Sequence, residues 1–391
     1  MLDCGIIKLV SVGDICNVSR GASPRPIKKY LTQSGEGVPW IKIGDVTPFD
    51  KYIKKTNERI TKEGAKKSRF LHKGDLILSN SMSFGRPYIL EIDGCIHDGW
   101  ISLSGFENYV LRDFLYEVLN TKCVQDYWAM KANNGGAMSN LNSDIVKSTI
   151  IKIPSLNVQE EIVKILDSFT NLIDALNEEQ SLRQKQFEYY REKLLTFDDK
   201  SVYTTLGKVG KFTRGNGLQK KDFTEYGFPC IHYGQIHTSY NTSTFSTISY
   251  CSKSLAKKLK KAKYGDLLIA TTSEDVDACC KAIAWLGEGE VAYSGDSYCF
   301  SHNENPKYMA YLFQSNMFYN QKKTSATGAK VIRVSGDSMS QFILPIPSLA
   351  IQQSIVEKLD AFESLISSLK EEIALRQKQY EYYREKLLTF D

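Results

Sequence analysis

The sequence lacks several features that would place it in common classes of protein. No apolar run in its 391 residues approaches the ~18 needed for a transmembrane helix. The first residues show no basic stretch followed by an apolar one, so no secretory signal peptide is evident. The nine cysteines form no Cys-x-x-Cys pair, a usage typical of free thiols in a reducing compartment. We therefore expect a cytoplasmic protein without a disulfide framework.

Motifs for catalysis are also missing. The sequence has no GxxxxGK[ST] loop, no GxSxG motif and no Asn-Pro-Pro-aromatic or Asp-Pro-Pro-aromatic motif of the kind adenine methyltransferases use. Its five histidines include no HExxH and no Cys/His ligand set, so no metal is expected. Isolated acids such as Glu63 and Asp275 are interpreted as solvated loop residues, although a short nuclease pattern among them stays open. We expect no catalysis by this chain and no cofactor bound to it.

The composition is that of a globular protein. Hydrophobic residues make up 42% and charged residues 24% of the chain, which argues against disorder. The length corresponds to two or three domains.

An internal repeat dominates the sequence. Residues 182–198 and 375–391 are identical at 16 of 17 positions, at an offset of 193. The same offset continues upstream, so that residues 153–198 and 346–391 share 31 of 46 positions. The regions before each block match only weakly, as in Lys73-Gly-Asp-Leu-Ile-Leu against Tyr264-Gly-Asp-Leu-Leu-Ile. Variable and near-identical regions therefore alternate, which indicates one element with a shared role and surroundings that differ.

The repeated blocks read as long helices. Apolar residues recur at steps of three and four, as in Ile162, Leu166 and Phe169, and no Pro or Gly interrupts positions 158–195. The narrow apolar stripe is typical of a coiled-coil seam. Asn157 and Glu160 fit a capping box at the start of the first helix. If the copies are related by a two-fold axis, the helices pair antiparallel.

The variable regions predict α+β domains of about 150 residues. Short β-rich runs such as Asp75-Leu-Ile-Leu and Asp266-Leu-Leu-Ile are separated by Gly and Pro, with helical stretches near 111–131 and 307–322. The fold class is therefore α+β, with two such domains alternating with two long helices that form an antiparallel coiled coil with internal pseudo-two-fold symmetry. The predicted boundaries are 1–152, 153–199, 200–345 and 346–391.

Charge follows the same division. The net charge is +5 over residues 1–152 and +7 over 200–345, but −5 over 153–199 and −2 over 346–391. The overall +5 thus conceals two basic domains and two acidic helices. A basic surface repeated in both domains indicates a polyanionic partner, most often nucleic acid.

Polar loops at matched positions supply the candidate DNA contacts. Arg20-Gly-Ala-Ser-Pro corresponds to Arg214-Gly-Asn-Gly-Leu, and later loops correspond in the same way. Glycine lets main-chain N–H groups approach phosphates, while Arg, Lys, Asn and Gln bind phosphates or base edges. Ordinary turn chemistry is the alternative for each loop. The candidates are Arg20, Ser23, Arg25, Lys28, Lys42, Ser81, Ser83, Arg86 and Asn134 in the first region, and Arg214, Asn216, Lys220, Lys221, His232, Tyr233, Thr272, Ser273, Lys330 and Arg333 in the second.

Taken together, the chain resembles the DNA-specificity subunit of type I restriction–modification enzymes. The resemblance rests on the alternation of two variable domains with two repeated helices, on Arg20-Gly-Ala-Ser-Pro, on Val38-Pro-Trp-Ile-Lys-Ile-Gly-Asp-Val and on the Ile-Pro-Ser-Leu block before each helix. It covers essentially the whole chain. The second copy departs from it, with Cys230-Ile-His-Tyr-Gly-Gln in place of Trp40-Ile-Lys-Ile-Gly-Asp.

The resemblance implies a division of labour between subunits. Each variable region would be a target recognition domain for one half of a split DNA sequence, and the helices would fix the spacer between the halves. Two methyltransferase subunits using S-adenosylmethionine, and restriction subunits using ATP and Mg²⁺, would supply the chemistry. A coiled-coil scaffold with two unrelated binding domains, or a nuclease fused to its specificity domains, are the alternatives.

The repeated helix ends are the candidate docks for those partners. The same aromatic and basic residues occur twice, which would give two identical subunits the same surface. Packing between the two helices is an equally good explanation of their identity. The residues are Tyr189, Tyr190, Arg191, Tyr382, Tyr383 and Arg384.

Overall fold

The chain folds into two compact units. The computed structural model describes residues 7–33, 35–47, 50–80, 84–133, 140–328 and 330–390. Unit 1 comprises the residues up to Asn177 together with those from Glu372 onward, and unit 2 comprises Glu178–Glu371. Each unit therefore takes part of both repeated blocks.

Unit 1 is built on two five-stranded sheets and one strand pair. Its strands are β1 (Lys8–Ser11), β2 (Asn17–Arg20), β3 (Leu31–Thr32), β4 (Val38–Ile41), β5 (Tyr52–Ile53), β6 (Glu58–Ile60), β7 (Arg69–Leu71), β8 (Leu76–Ser79), β9 (Pro87–Leu90), β10 (Gly94–Ile96), β11 (Trp100–Ser104) and β12 (Ile150–Ile153). Its short helices are α1 (Val12–Ile15), α2 (Lys62–Ala65), α3 (Arg112–Leu119), α4 (Lys122–Asn133) and α5 (Ser143–Lys147). The sheet orders are β3-β6-β4-β10-β7 and β2-β11-β8-β9-β5, and β1 pairs with β12.

Along the chain, a long helix follows the sheets of each unit. The two helices are α6 (Leu156–Leu194) and α13 (Leu349–Thr389). Each begins soon after a strand and passes from one unit into the other.

Unit 2 repeats the topology of unit 1. Its strands are β13 (Tyr203–Thr205), β14 (Gly210–Arg214), β15 (Phe223–Thr224), β16 (Phe228–Ile231), β17 (Ser243–Thr244), β18 (Ser249–Cys251), β19 (Lys261–Ala262), β20 (Leu267–Ala270), β21 (Thr272–Ser273), β22 (Lys281–Trp285), β23 (Val291–Tyr293), β24 (Ser297–His302), β25 (Ile332–Arg333) and β26 (Ile343–Pro345). Its short helices are α7 (Leu206–Val209), α8 (Tyr233–Thr238), α9 (Lys253–Ala256), α10 (Pro306–Leu312), α11 (Asn316–Ser325) and α12 (Gly336–Ser340). The orders β15-β18-β16-β23-β19 and β14-β24-β20-β22-β17 match those of unit 1 strand for strand, and β21 pairs with β25. The predicted α+β class with two repeated domains is confirmed.

The central strands are buried on both faces, as their sequences indicate. Every residue of β8 and of β20 is buried, which explains their continuous apolar runs. Fully buried Trp100 and Trp128 fill the core of unit 1. Their indole N–H groups donate to the main-chain oxygen of Ile41 (3.1 Å) and to Oγ1 of Thr149 (2.8 Å). The N–H group of each indole ring thus has a hydrogen-bond acceptor although it is buried from water.

Both long helices contribute to the core of each unit. In unit 1, Leu166 of α6 and Leu388 of α13 belong to the same buried cluster. In unit 2, Leu195, just after the end of α6, and Leu359 of α13 do the same.

Stacked rings join the two helices in each unit. Phe169 stacks on Tyr383 in unit 1, with ring centroids 5.3 Å apart, and Tyr190 stacks on Phe362 in unit 2 at 5.4 Å. In unit 2, Leu194 lies after Tyr190 on α6 and lines a groove with Ile351, which lies before Phe362 on α13. The contacts thus move backward along α13 as α6 advances, so the helices run antiparallel there. The predicted antiparallel helix pair is confirmed.

The first helix begins two residues earlier than the capping pattern requires. The main-chain N–H of Gln159 donates to Ser155 O at 3.0 Å, and α6 starts at Leu156. Asn157 therefore lies inside the first turn, and the predicted capping box is wrong. The start is fixed instead by the buried Gln159, whose Nε2 donates to Pro154 O at 3.0 Å.

Repeated side chains of the long helices make equivalent hydrogen bonds in the two units. Gln159 accepts from the N–H of Leu111 (2.8 Å), and its equivalent Gln352 accepts from the N–H of Asn305 (2.9 Å). At the far ends of the helices, Glu385 accepts from the N–H of Lys122 and Glu192 from the N–H of Asn316. Because the same residues perform the same contacts twice, internal packing accounts for part of the identity between the two blocks.

Candidate DNA interface

An arginine ends the equivalent edge strands β2 and β14 of the two units. Arg20 ends β2 and Arg214 ends β14. The Nε of Arg20 donates to Asp98 O at 3.0 Å, and the Nε of Arg214 donates to Gly295 O at 3.1 Å. Both carbonyls lie in the turn that joins β10 to β11 in unit 1 and β23 to β24 in unit 2. The two arginines thus occupy equivalent places, each held against a turn while its guanidinium stays largely at the surface.

The residue after each arginine has to be glycine. A Cβ at Gly21 would lie 2.0 Å from His97 O, and one at Gly215 would lie 2.1 Å from Ser294 O. Such distances leave no space for a side chain. The Arg-Gly pairs found in the sequence therefore mark the close approach of each loop to its turn, which could not be read from the sequence alone.

In unit 1, Asp98 contacts three of the predicted residues, Arg20 through its main-chain oxygen and the other two through its carboxylate. Asp98 accepts from Ser23 Oγ at 2.7 Å, and its other oxygen lies 3.6 Å from Arg25 Nη2. The hydrogen bond from Ser23 holds the pKa of Asp98 below its usual value, so this carboxylate stays charged. Arg20, Ser23 and Arg25 are in this way brought together on one polar surface.

In unit 2 the equivalent loops enclose a pocket of about 470 Å³. Arg214, Gln219, His232, Tyr233 and Asp296 line it with donors, acceptors and aromatic rings. The rings of His232 and Tyr233 lie 4.5 Å apart. Groups of these kinds bind base edges and phosphates.

His232 also orders the wall of that pocket. Its Nδ1 accepts from the N–H of Gly234 at 3.2 Å, so the side chain caps α8. Burial, helped by the charge of Lys220, lowers the pKa of His232. The ring is therefore neutral near pH 7 and can serve as a hydrogen-bonding surface without adding charge.

Other predicted residues have structural partners. Lys42 Nζ pairs with Glu58 at 2.5 Å. Both groups of the Asn216 amide are used, since Nδ2 donates to Lys258 O and Oδ1 accepts from the N–H of Lys260. Thr272 is buried and pairs with Arg333 across β21 and β25. The role of these residues in DNA contact stays a prediction.

The remaining candidates are distributed over several loops. Lys28 and Lys220 lie in short 3-10 turns, where they are exposed, as are Lys221 and Lys330. Arg86 and Ser273 are half-buried. Ser81, Ser83 and Asn134 lie outside the described residues.

One basic feature was missed in the sequence. Residues 61–73 and 252–263 occupy equivalent positions and hold five and six Lys or Arg residues. Both adjoin the Arg-Gly loops, as described below. The Gly-Asp pairs that follow the two segments align the copies at an offset of 191. Comparing the charge of the aligned copies would have found both segments.

The two explanations of the repeated helix ends apply to different residues. Tyr190 and Tyr383 stack on the partner helix, as above, whereas Tyr189 and Tyr382 are 61% and 59% exposed. Arg191 lies over the ring of Phe187 and pairs with Glu192, and Arg384 lies over the ring of Tyr380 and pairs with Glu385. Packing between the helices thus involves Tyr190 and Tyr383, whereas each arginine contacts residues of its own helix.

An exposed face remains unexplained by packing. Leu182, Lys185 and Tyr189 are spaced to share one side of α6, and all three are exposed. Their equivalents Leu375, Lys378 and Tyr382 are identical in type and also exposed.

Among the described residues, no group of three or more His, Cys, Asp or Glu side chains is placed to hold a metal ion. Within the same described residues, no helix has the length and apolar character to cross a bilayer.

Comparison with protein families now identifies the class of the chain. The family described as "Type I restriction modification DNA specificity domain" matches residues 7–184 and 199–375. These two matches cover most of the sequence, and the chain belongs to this family. The two matched regions correspond to the two copies of the internal repeat.

Individual relatives carry the same description. The type I restriction enzyme EcoR124I/EcoR124II specificity subunit of Escherichia coli is 32% identical over 245 residues, which are 60% of each protein, so the chain spans less than two thirds of that relative. S.HindORF215P of Haemophilus influenzae, named as a type I restriction enzyme specificity subunit, is 34% identical over 413 aligned positions. That alignment covers 100% of this chain and 97% of the relative.

Solved structures share the fold at low sequence identity. A chain from a study of complex assembly and conformational transition of the type I R-M system superposes with a TM-score of 0.63 and 14% identity, covering 98% of this chain and 97% of that one. The type I restriction-modification system S subunit from M. genitalium gives 0.50 and 14%, covering 98% and 96%.

Proposed function

We propose that the chain is the non-catalytic specificity subunit of a type I restriction–modification complex. Its recognition domains, residues 1–152 and 200–345, each bind one half of a two-part DNA target. The repeated helices, 153–199 and 346–391, fix the spacer and dock two methyltransferase subunits and the restriction subunits. S-adenosylmethionine, ATP and Mg²⁺ are used by those partners and not by this chain.

One observation carries the proposal. The Arg-Gly loop and its turn occur in the same place in both units, yet their surroundings differ in residue type: Asp98 binds Ser23 and Arg25 in unit 1, and His232 and Tyr233 face the pocket in unit 2. Two domains that bind different half-sites need the same backbone arrangement with different polar side chains. The shared arrangement positions each domain on the DNA, and the side chains that differ specify the bases.

Basic charge supports the same function. Both recognition domains are positive and both helical blocks are negative. Phosphate binding therefore belongs to the domains, while the acidic helices suit protein partners.

DNA binding by the full chain with its methyltransferase partner tests the proposal. We expect a gel shift with random-sequence duplex at low salt that weakens steeply as salt rises, because phosphate contacts release counterions. No shift at about 50 mM salt, with the partner present, would contradict DNA binding. Cleavage of DNA by the purified chain with Mg²⁺ alone would contradict the non-catalytic role.

A further inference from the structure

Two equivalent basic segments border the Arg-Gly loops, and we name them the basic straps. Strap 1 is residues 61–73 and strap 2 is residues 252–263. Each begins at a hydroxyl that caps a one-turn helix: Thr61 Oγ1 accepts from the N–H of Gly64, and Ser252 Oγ from the N–H of Leu255. Each then enters an edge strand, β7 of the sheet β3-β6-β4-β10-β7 or β19 of the sheet β15-β18-β16-β23-β19.

Each strap is hydrogen-bonded to the loop that carries the candidate DNA contacts. In unit 2, Asn216 binds the main chain of strap 2 twice, to Lys258 O at 2.9 Å and to the N–H of Lys260 at 2.8 Å. In unit 1, Ser68 Oγ donates to Ala22 O at 2.6 Å. Different side chains thus maintain the same adjacency in the two copies, which indicates that the position of the strap beside the loop is required.

Strap 1 is also attached at a second point. The N–H of Thr61 donates to Tyr30 O at 2.8 Å, and Lys67 Nζ donates to Tyr30 Oη at 2.6 Å. Tyr30 is buried directly after the turn that holds Lys28. The strap and the loop therefore form one basic surface held on ordered backbone.

The charge on the straps is concentrated and mostly unpaired. Strap 2 has six lysines and no acidic residue, and strap 1 has five Lys or Arg residues and one Glu. Among the described residues, the ion pairs of strap cations are Lys67 with Glu63 at 3.8 Å and Lys261 with Glu290 at 3.5 Å. The other cations are exposed: Lys62, Lys66, Arg69, Lys73, Lys253, Lys257, Lys258, Lys260 and Lys263.

Protection of a sheet edge explains only part of this charge. Lysine on an edge strand discourages pairing with another chain, which fits Arg69 and Lys261. Lys62 and Lys66, and Lys253 and Lys257, lie on or just after the helical turns, where no strand edge needs protection. The lysines and arginines of each strap repel one another. A segment that keeps this repulsion in both copies is suited to an anionic ligand.

We propose that the straps bind the DNA phosphate backbone beside each half-site, without reading sequence. This inference rests on the proposed function. Lysine is a flexible point charge that suits phosphate, whereas the Arg-Gly loops offer the donors and acceptors that distinguish bases. The straps then supply affinity and register, and the loops supply specificity.

The test compares three variants of the full chain in complex with its methyltransferase partner. K253Q/K257Q/K260Q removes three charges from strap 2, and K253R/K257R/K260R keeps them. K208Q/K211Q/K323Q removes three exposed charges elsewhere in unit 2. Binding is measured from about 50 to 200 mM salt, to a random-sequence duplex and to one carrying the methylated site found in the host. Unfolding midpoints show that each variant is folded.

We expect the strap variant alone to weaken binding to both duplexes by the same factor. The slope of log K against log salt should fall by about 0.9 per lost contact, or up to about 2.7 for three. The arginine variant should keep the wild-type slope.

Three results would overturn the inference. They are a slope equal to that of the Lys208 control, a loss confined to the specific duplex, and loss of the methyltransferase subunit with DNA affinity retained. The last would make the strap a protein contact. Failure of the wild-type complex to bind either duplex would instead contradict the proposed function itself.

Discussion

His97 stands at the turn that holds Arg20, and its environment requires a neutral ring. Its Nδ1 accepts from the N–H of Gly99 at 2.6 Å, and its Nε2 accepts from the N–H of Ile43 at the longer distance of 3.4 Å. Burial lowers the pKa of His97, although the nearby Asp98 opposes this shift. Protonation of Nδ1 would set its N–H against the N–H of Gly99, and we expect this to weaken the turn whose Asp98 O accepts from Arg20.

Stability should therefore fall in acid through His97. Its folded pKa lies below the unfolded value of about 6.5, so the stabilisation is complete above that pH and is lost as pH falls through the folded pKa. His97→Asn, whose Oδ1 can replace the acceptor Nδ1, should show a smaller loss between about pH 7.5 and 5.5 in urea unfolding. His72→Asn, at an exposed histidine, is the control. Equal pH dependence in wild type and His97→Asn would contradict this assignment.

The adjacent tyrosines at each helix end should separate docking from packing. Tyr189→Ala with Tyr382→Ala should abolish methyltransferase binding and leave stability unchanged, because both side chains are exposed. Each single variant should retain one methyltransferase subunit of two. Light scattering of the purified complex measures this stoichiometry.

Tyr190→Ala with Tyr383→Ala is the matched control. These rings stack on Phe362 and Phe169, so this variant should lose at least about 1 kcal/mol of stability. An intact complex in the Tyr189/Tyr382 variant would refute the docking role of the exposed pair.

At the scale of elements, the repeated 17-residue ends differ at one position, which is Phe187 in the first copy and Tyr380 in the second. Each residue suits the unit that it contacts. Tyr380 Oη donates to the buried Glu117 Oε2 at 2.6 Å in unit 1. Its equivalent Phe187 packs edge-on against Tyr311 in unit 2, whose own hydroxyl already donates to Asp360 at 2.7 Å. Each helix end is thus fitted to one recognition domain.

Exchanging these residues should destabilise both units. Tyr380→Phe leaves Glu117 with a buried oxygen and no donor, which costs about 1–3 kcal/mol. Phe187→Tyr places a hydroxyl in an apolar contact, at a similar cost. Urea unfolding of each single variant measures the effect, and an unchanged free energy of unfolding in Tyr380→Phe would show that the hydrogen bond contributes nothing net.

The helices also make a prediction about spacer length. Insertion of about four residues after Asn177 and after Glu371 adds about 6 Å to each helix at the unit boundary, or about two base pairs of DNA. The methylated motif should gain a spacer of that size. A motif with its original spacer would contradict the ruler role.

Periodicity and repetition predicted the elements well, and long-range contacts limited the rest. The long helices follow from unbroken apolar spacing, and strands such as β8 and β20 follow from apolar runs between turns. The start of α6 was misplaced because Gln159 binds Leu111, a contact that no local pattern encodes. The basic straps are visible in the sequence as matched charge, but their position beside the Arg-Gly loops depends on Ser68 and Asn216, which no local pattern encodes.

At the scale of the whole molecule, the small net charge conceals two basic regions and two acidic ones. Positive recognition domains and negative helices cancel to +5, so composition alone showed only a mildly basic protein. The two units have the same topology and the same Arg-Gly turn. The polar residues around that turn differ between the units, whereas the helical block that follows each basic region is nearly identical.

Methylome sequencing of a host that carries this chain and its methyltransferase partner tests the central claim most directly. The wild type should yield one methylated motif in two parts separated by a fixed spacer. Replacing residues 1–152 with the corresponding region of another specificity subunit should change one part of the motif and leave the other part and the spacer intact. A change in both parts, or the absence of any two-part motif, would contradict the account.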